Sequence, residues 1–171
     1  PGRGGSAGLR LSAGRELDRL IRGMLPELRP GRFVFVTVPE PPEKISLLRD
    51  GASPVAMVRE DEGTTLILTE RDADRLGLPY DFTAAMITLR VHSALEAGGL
   101  TAAVSGALAD AQISCNVVAG FFHDHLFVPV EQGERALAVL RALTEVAAAA
   151  TQGSSGRRSA GRAAPSPSAS G

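Results

Sequence analysis

Residues 87–143 are read as a strand, a helix, two strands and a helix, an order that stops one strand short of closing a split antiparallel sheet. Ile87, Leu89 and Val91 alternate with Thr88, Arg90 and His92, as a half-buried strand should. Leu100, Val104, Ala107, Leu108 and Ala111 then fall on one helical stripe, entered through Gly98 and Gly99. Cys115–Phe121 and His125–Val130 are expected as two strands around a short turn that holds Asp124. A last helix turns Ala136, Leu137, Leu140 and Leu143 inward, with Glu131 and Glu134 near its positive end. Only AAAATQGSSG and a tail without branched or aromatic side chains follow, so the fourth strand of a βαββαβ unit is expected from elsewhere. Either a strand of the first half, residues 32–38 in particular, or a second chain supplies it, because an open edge invites pairing.

The first half offers the material. Leu17, Leu20, Ile21, Met24 and Leu25 form an amphipathic helical stripe, closed by Pro26 and Pro30. RFVFVTV at 32–38 is apolar on both faces and is expected to be buried. PVAMVRE (54–60) and TTLILTE (64–70) flank Asp61, Glu62 and Gly63 as a hairpin, and 70–76 is a short helix stopped by Gly77 and Pro79. Residues 1–11 and 151–171 are Gly, Ser, Ala, Pro and Arg with almost no branched or aromatic side chains, and are expected to be disordered tails. Between them lie two interdependent halves, 12–80 and 81–150, in an α+β, ferredoxin-like fold.

Several function classes are excluded by composition. A net charge of −1, a single lysine (Lys44) and only seven aromatic residues leave neither a basic face nor a stacking surface, so nucleic acid is not an expected partner. No apolar run approaches the length of a membrane span, and no secretory core is seen, so a cytoplasmic protein without membrane contact is expected. The lone Cys115 has no partner for an internal disulfide.

The segment SCNVVAGFFHDHLFV (114–128) resembles a metal or catalytic cluster at first sight. At roughly 3.3 Å per residue, Cys115 would lie about 23 Å along its strand from a turn near His123, far beyond a Zn–S bond of about 2.3 Å. His123 and His125 with Asp124 could form a surface chelate, or Asp124 could satisfy turn amides while the imidazoles are polar tips. Cys115 alternates with Val117 and Ala119 as a small core residue would. No G-x-S-x-G, paired-carboxylate signature or nucleophile with a neighbouring base occurs, so no catalytic residue, metal or cofactor is assigned.

HSALEAGGLTAAVS, ISCNVVAG and HDHLFVPV, within residues 91–130, resemble the ACT domain superfamily, in particular small bacterial proteins built from two ACT-like halves. The first half is similar more loosely, through REDEGTTLILTE, which also resembles aspartate kinase regulatory halves. The resemblance implies a non-catalytic regulatory protein or sensor that binds a small molecule, an amino acid for choice, and forms a homodimer. Carried over, the ligand contacts are His92, Ser93, Gly98, Gly99, Leu100 and Thr101 on the strand-to-helix loop, with Ile113, Cys115, Asn116 and Val117 opposite. The usual Asp-X-Pro-Gly loop here reads Glu96, Ala97, Gly98, Gly99. Two alternatives stay open: a small metal-dependent enzyme using His92, His123, Asp124 and His125, and a structural dimerisation module with a vestigial pocket.

Overall fold

The computed structural model describes residues 14, 16–39, 41, 51–90 and 99–155. His92, Ser93 and Gly98 lie outside the described residues. A helix, α1 (16–23), is followed by β1 (Leu25–Leu28), β2 (Phe33–Val38), β3 (Ala56–Glu60), β4 (Gly63–Thr69), α2 (Glu70–Arg75) and β5 (Thr83–Arg90). The second half continues with α3 (Leu100–Asp110), β6 (Asn116–Ala119), β7 (Asp124–Pro129), a 3-10 turn (Val130–Gln132) and α4 (Gly133–Ser155). The strands form one antiparallel sheet in the order β3-β4-β2-β5-β7-β6, with β1 also paired to β5.

That last pairing corrects the expected source of the missing strand. The helix read as running through Leu25 stops at residue 23, and Leu25–Leu28 is a strand whose four residues face Arg90, Leu89, Thr88 and Ile87. Pro26 ends the helix because it lacks an amide and its ring obstructs the preceding turn. It is tolerated in β1 because β1 is hydrogen-bonded on one side only, where an edge strand can spare a donor. Residues 32–38 contribute only Phe33 and Val34 to β5, opposite Ala84 and Thr83, and pair with β4 along the whole of Phe33–Val38. The four residues 29–32 face two on β5, a bulge anchored by Arg29 N donating to Met86 O at 2.8 Å. Each half thus reads 4-1-3-2, and β5 serves both: its start closes the first half and its length opens the second.

Helices cover one face of this sheet. Ala85, Ile87 and Leu89 of β5 with Leu126 and Val128 of β7 pack against Leu20, Ile21 and Met24 of the α1 region, Leu100, Val104 and Leu108 of α3, and Ala136, Leu137 and Leu140 of α4. Gly133 begins α4 because a Cβ there would come within 2.8 Å of that of Ala85, so only glycine lets the helix approach β5 this closely. Arg135 donates from Nη2 to Ala111 O, tying α4 to the end of α3. In the first half Val34, Val36, Leu66 and Leu68 pack on Ala73 of α2. The opposite face holds Phe33, Phe35, Met86 and Phe127, with ring centroids of Phe35 and Phe127 5.3 Å apart, edge to face.

The hairpin 56–69 and helix 70–75 agree with the sequence reading. α4 extends to Ser155, into the segment read as tail. The β6–β7 turn differs: Phe121 lies outside β6, and Asp124 opens β7 opposite Ala119 and Leu89 rather than sitting in the turn.

Candidate functional site

β5 ends at Arg90, and α3 begins at Leu100. Gly99, the residue before α3, has φ 98°, a left-handed conformation open to glycine at little cost. Its C=O accepts from Ala103 N at 2.9 Å, closing the first helical turn. α3 has no side-chain cap and no carboxylate in its first turn. In α2, by contrast, Thr69 Oγ1 accepts from Asp72 N, with Glu70 and Asp72 in the first turn. The first turn of α3 therefore presents amides that no side chain of its cap position satisfies, at the favourable end of the helix dipole for a carboxylate.

The remaining predicted contacts separate into groups. Leu100 and Ile113 are buried in the main core, and Cys115 and Val117 pack at its margin, so all four lie on the helix-covered side with Gly99. Leu100 and Ile113 can offer only backbone groups to a ligand. Thr101 is exposed in the first turn of α3. Asn116 is opposite Phe127 and so faces the helix-free side of the sheet, away from α3. Burial pushes the Cys115 thiol up, outweighing a hydrogen bond from the backbone of Phe127, which leaves it protonated and unreactive at neutral pH. Leu17, read only as part of the α1 stripe, also borders this turn: its methyl groups would lie 3.3 and 3.4 Å from a Cβ at Gly99. α1 thus backs the turn into α3.

The histidine hairpin lies closer to this loop than its sequence position suggests. Because Leu89 faces Asp124, the tip at 120–123 sits at the same end of the sheet as the end of β5. Gly120 N donates to His123 O at 3.0 Å, so Phe121 and Phe122 are the two central residues of a tight turn. Both are 76% exposed, with ring centroids 5.0 Å apart. Phe121 continues the apolar run from Val117, which is why it reads as strand.

His125 Nδ1 lies 3.1 Å from Thr88 Oγ1, the residue opposite it on β5. His123 Nδ1 is buried without a partner among the described residues. No group of three or more His, Cys, Asp or Glu side chains among the described residues is placed to hold a metal ion. Glu27 on β1 bridges Arg29 at 3.0 Å and Arg90 at 2.5 Å, pinning β1 to the end of β5; the Arg90 hydrogen bond holds its carboxyl below the usual range.

Burial, then the charge of His123, hold the His125 imidazole below its ordinary value of 6.5 against the opposing pull of Asp124. The unfolded chain therefore takes up this proton at a higher pH than the folded one. The contribution is fully present above the unfolded value and is lost as pH falls through it. Asp124 acts oppositely and in a more acidic window, since burial raises its carboxyl above 3.8. Melting temperature is expected to fall between about pH 7.5 and 5.5, and His125→Gln to flatten that slope. An unchanged slope in the variant would assign the titration to another group.

Residues 12–85 match one ACT domain model and residues 82–142 a second. The two matches overlap at 82–85, in the part of the chain that enters the shared strand β5. The chain is 41% identical to a Vibrio cholerae protein of unknown function described as a possible transport protein, over 77% of this chain and 98% of that one, with a TM-score of 0.68. An Agobacterium tumefaciens protein is similar at 18% identity over 71% of this chain and 89% of its own, TM-score 0.55. The ligand-free regulatory subunit of aspartate kinase from Thermus thermophilus superposes at 10% identity over 69% and 95%, TM-score 0.55. The last two show the fold alone. No curated protein matches the sequence. Among the described residues no helix is long and apolar enough to cross a membrane.

Proposed function

The chain belongs to the ACT domain family, with two ACT units in tandem, and on that premise we propose that it is a non-catalytic regulatory module that binds an amino acid where β5 passes into α3. The observation that carries the reading is the start of α3: a left-handed Gly99 followed by a first turn with neither cap nor carboxylate. A carboxylate there would be held by backbone amides. Gly99, Leu100 and Thr101 supply that turn, His92, Ser93 and Gly98 the loop before it, and Ile113, Cys115 and Val117 the adjoining wall. Asn116 would reach the ligand only around the sheet edge. We take 12–80 and 81–150 as the two units, with 1–11 as one tail and 151–171, whose first five residues continue α4, as the other.

A homodimer accords with the exposed edge strand β3, where Met57 and Val58 are solvent-facing apolar residues on a strand paired on one side. A cytoplasmic site of action accords with the single half-buried thiol. The test is a thermal-shift screen of the full chain against the twenty amino acids, with sedimentation of the same samples. A true ligand at about 100 times its dissociation constant is expected to add roughly 2.7 kcal/mol, a shift of several degrees. No shift with any amino acid would end the amino-acid reading, and a strict monomer at micromolar concentration would end the dimer.

A further inference from the structure

At the opposite end of β5 from α3, three arginines converge on one cleft. Its volume is about 530 Å³, and Arg32, Arg71 and Arg75 line it together with Glu70 and Asp72. Gly31, at φ 99°, turns the chain so that Arg32 meets the start of α2. There Arg32 O accepts from Glu70 N at 2.8 Å, and Arg32 Nε pairs with Glu70 Oε2 at 3.0 Å. Glu70 Oε1 accepts in turn from Thr83 Oγ1 at 3.5 Å. Asp72 is fixed in the same way: its Oδ2 accepts from Thr69 Oγ1 at 3.0 Å and its Oδ1 from Arg75 Nη2 at 3.3 Å.

The acids in this cleft therefore position the cations. Each carboxylate is held by a hydroxyl of an adjoining element and orients one guanidinium. Arg32 spends only Nε on Glu70, so its two terminal nitrogens carry donors that the ion pair does not use. Arg71 is exposed and pairs with no acid among the described residues. Among the residues that line the cleft, three guanidiniums stand against two carboxylates. Planar guanidinium forks match the geometry of carboxylate and phosphate oxygens, which a lysine would bind only as a point charge.

We propose that this cleft is a binding site for a small oxyanion, the carboxylate or phosphate group of a metabolite, gripped between Arg32 and Arg71 with Arg75 completing the positive rim. The site is separate from the turn into α3. The eight residues of β5 lie between them, roughly 24 Å of extended chain.

The test uses the full chain titrated with inorganic phosphate and, separately, succinate, at ionic strength held constant with sodium chloride and followed by backbone amide chemical shifts. Saturable shifts at Arg32, Arg71 and Asp72 are expected, with Arg71→Glu weakening the apparent affinity at least about tenfold while the melting temperature stays close to wild type. Saturation by phosphate alone or succinate alone would name the source of the oxyanion. Shifts that follow total ionic strength without saturating, or an Arg71→Glu titration equal to wild type, would overturn the site. Because Arg71 lies at the other end of β5, the amino-acid response at α3 stays intact in this variant. Failure of one site is therefore distinguishable from failure of the other.

Discussion

A chain that begins at residue 30 is expected to lose the fold of its second half. The deletion removes β1 and with it four residues paired to β5. It also removes Leu20, Ile21 and Met24, all buried against α3 and α4. At about 1.5–3 kcal/mol for each fully buried side chain, the three together contribute roughly 5–9 kcal/mol. That is comparable with the whole stability of an ordinary domain, about 5–15 kcal/mol. Calorimetry should show no cooperative transition for the truncated protein, and a peptide spanning residues 12–31 added in trans should restore one. A truncated protein that melts cooperatively within about 5 °C of full length would mean that β1 is dispensable.

Gly99→Val should abolish the response to the amino acid while also weakening the fold. At φ 98° a β-branched side chain is a genuine outlier, with a cost of about 1–3 kcal/mol. The new atoms would also press on Leu17, although the contacts of 3.3 and 3.4 Å are to the end of a flexible side chain, so backbone strain is the larger effect. Relief of that strain would rotate the first turn of α3 and misdirect its amides. The quantity to compare is therefore the ligand-induced shift in each background rather than the melting temperature itself. Changing His123 and His125 is no neutral control, because their hairpin sits at the same end of the sheet as this turn. Arg141→Ala, on an exposed position of α4, serves instead and should keep the full response. A Gly99→Val protein that retains it would place the ligand elsewhere.

The elements legible in the sequence are those whose environment is uniform along their length. β5 alternates because one face meets helices, where Ile87 and Leu89 are buried as that alternation implies, although the face read as polar is covered too: Met86 and Thr88 are buried, and Arg90 alone is exposed on it. Leu100, Val104 and Leu108 read as one stripe because α3 packs along a single line. β1 was hidden because Leu25 extends the spacing of Leu17, Leu20, Ile21 and Met24 by one more helical step. Its side chain is nevertheless 65% exposed, since the chain has already turned into a strand. Pairing with a strand far along the sequence decides that segment, and no local pattern encodes it.

Much of the candidate site was obscured for a related reason. Gly98 and Gly99 announced a turn, and Gly99 does adopt the conformation that demands glycine. Asn116 was carried over from the resemblance as a contact opposite the loop, yet strand alternation turns it to the helix-free side. Phe121 and Phe122 carried the composition of a strand, while the turn was set by a backbone hydrogen bond between their neighbours. The arginine cleft joins residues from the β1–β2 bend and from α2, which sequence spacing does not bring together.

The donation of β1 to β5 also governs the moment at which this protein can become a protein at all. During synthesis the amino-terminal segment leaves the ribosome first, yet Leu25 must wait for Arg90, and Leu20, Ile21 and Met24 must wait for Leu137 and Leu140 in the last helix. The first half cannot finish alone either, since β2 leans on the start of β5. About half of the chain must be made before the first core can close and nearly all of it before the second, so the nascent chain carries an apolar segment with nowhere to bury it for most of its translation. Whatever attends the growing polypeptide, a chaperone or the tunnel wall, therefore meets Leu20, Ile21 and Met24 before their own fold does.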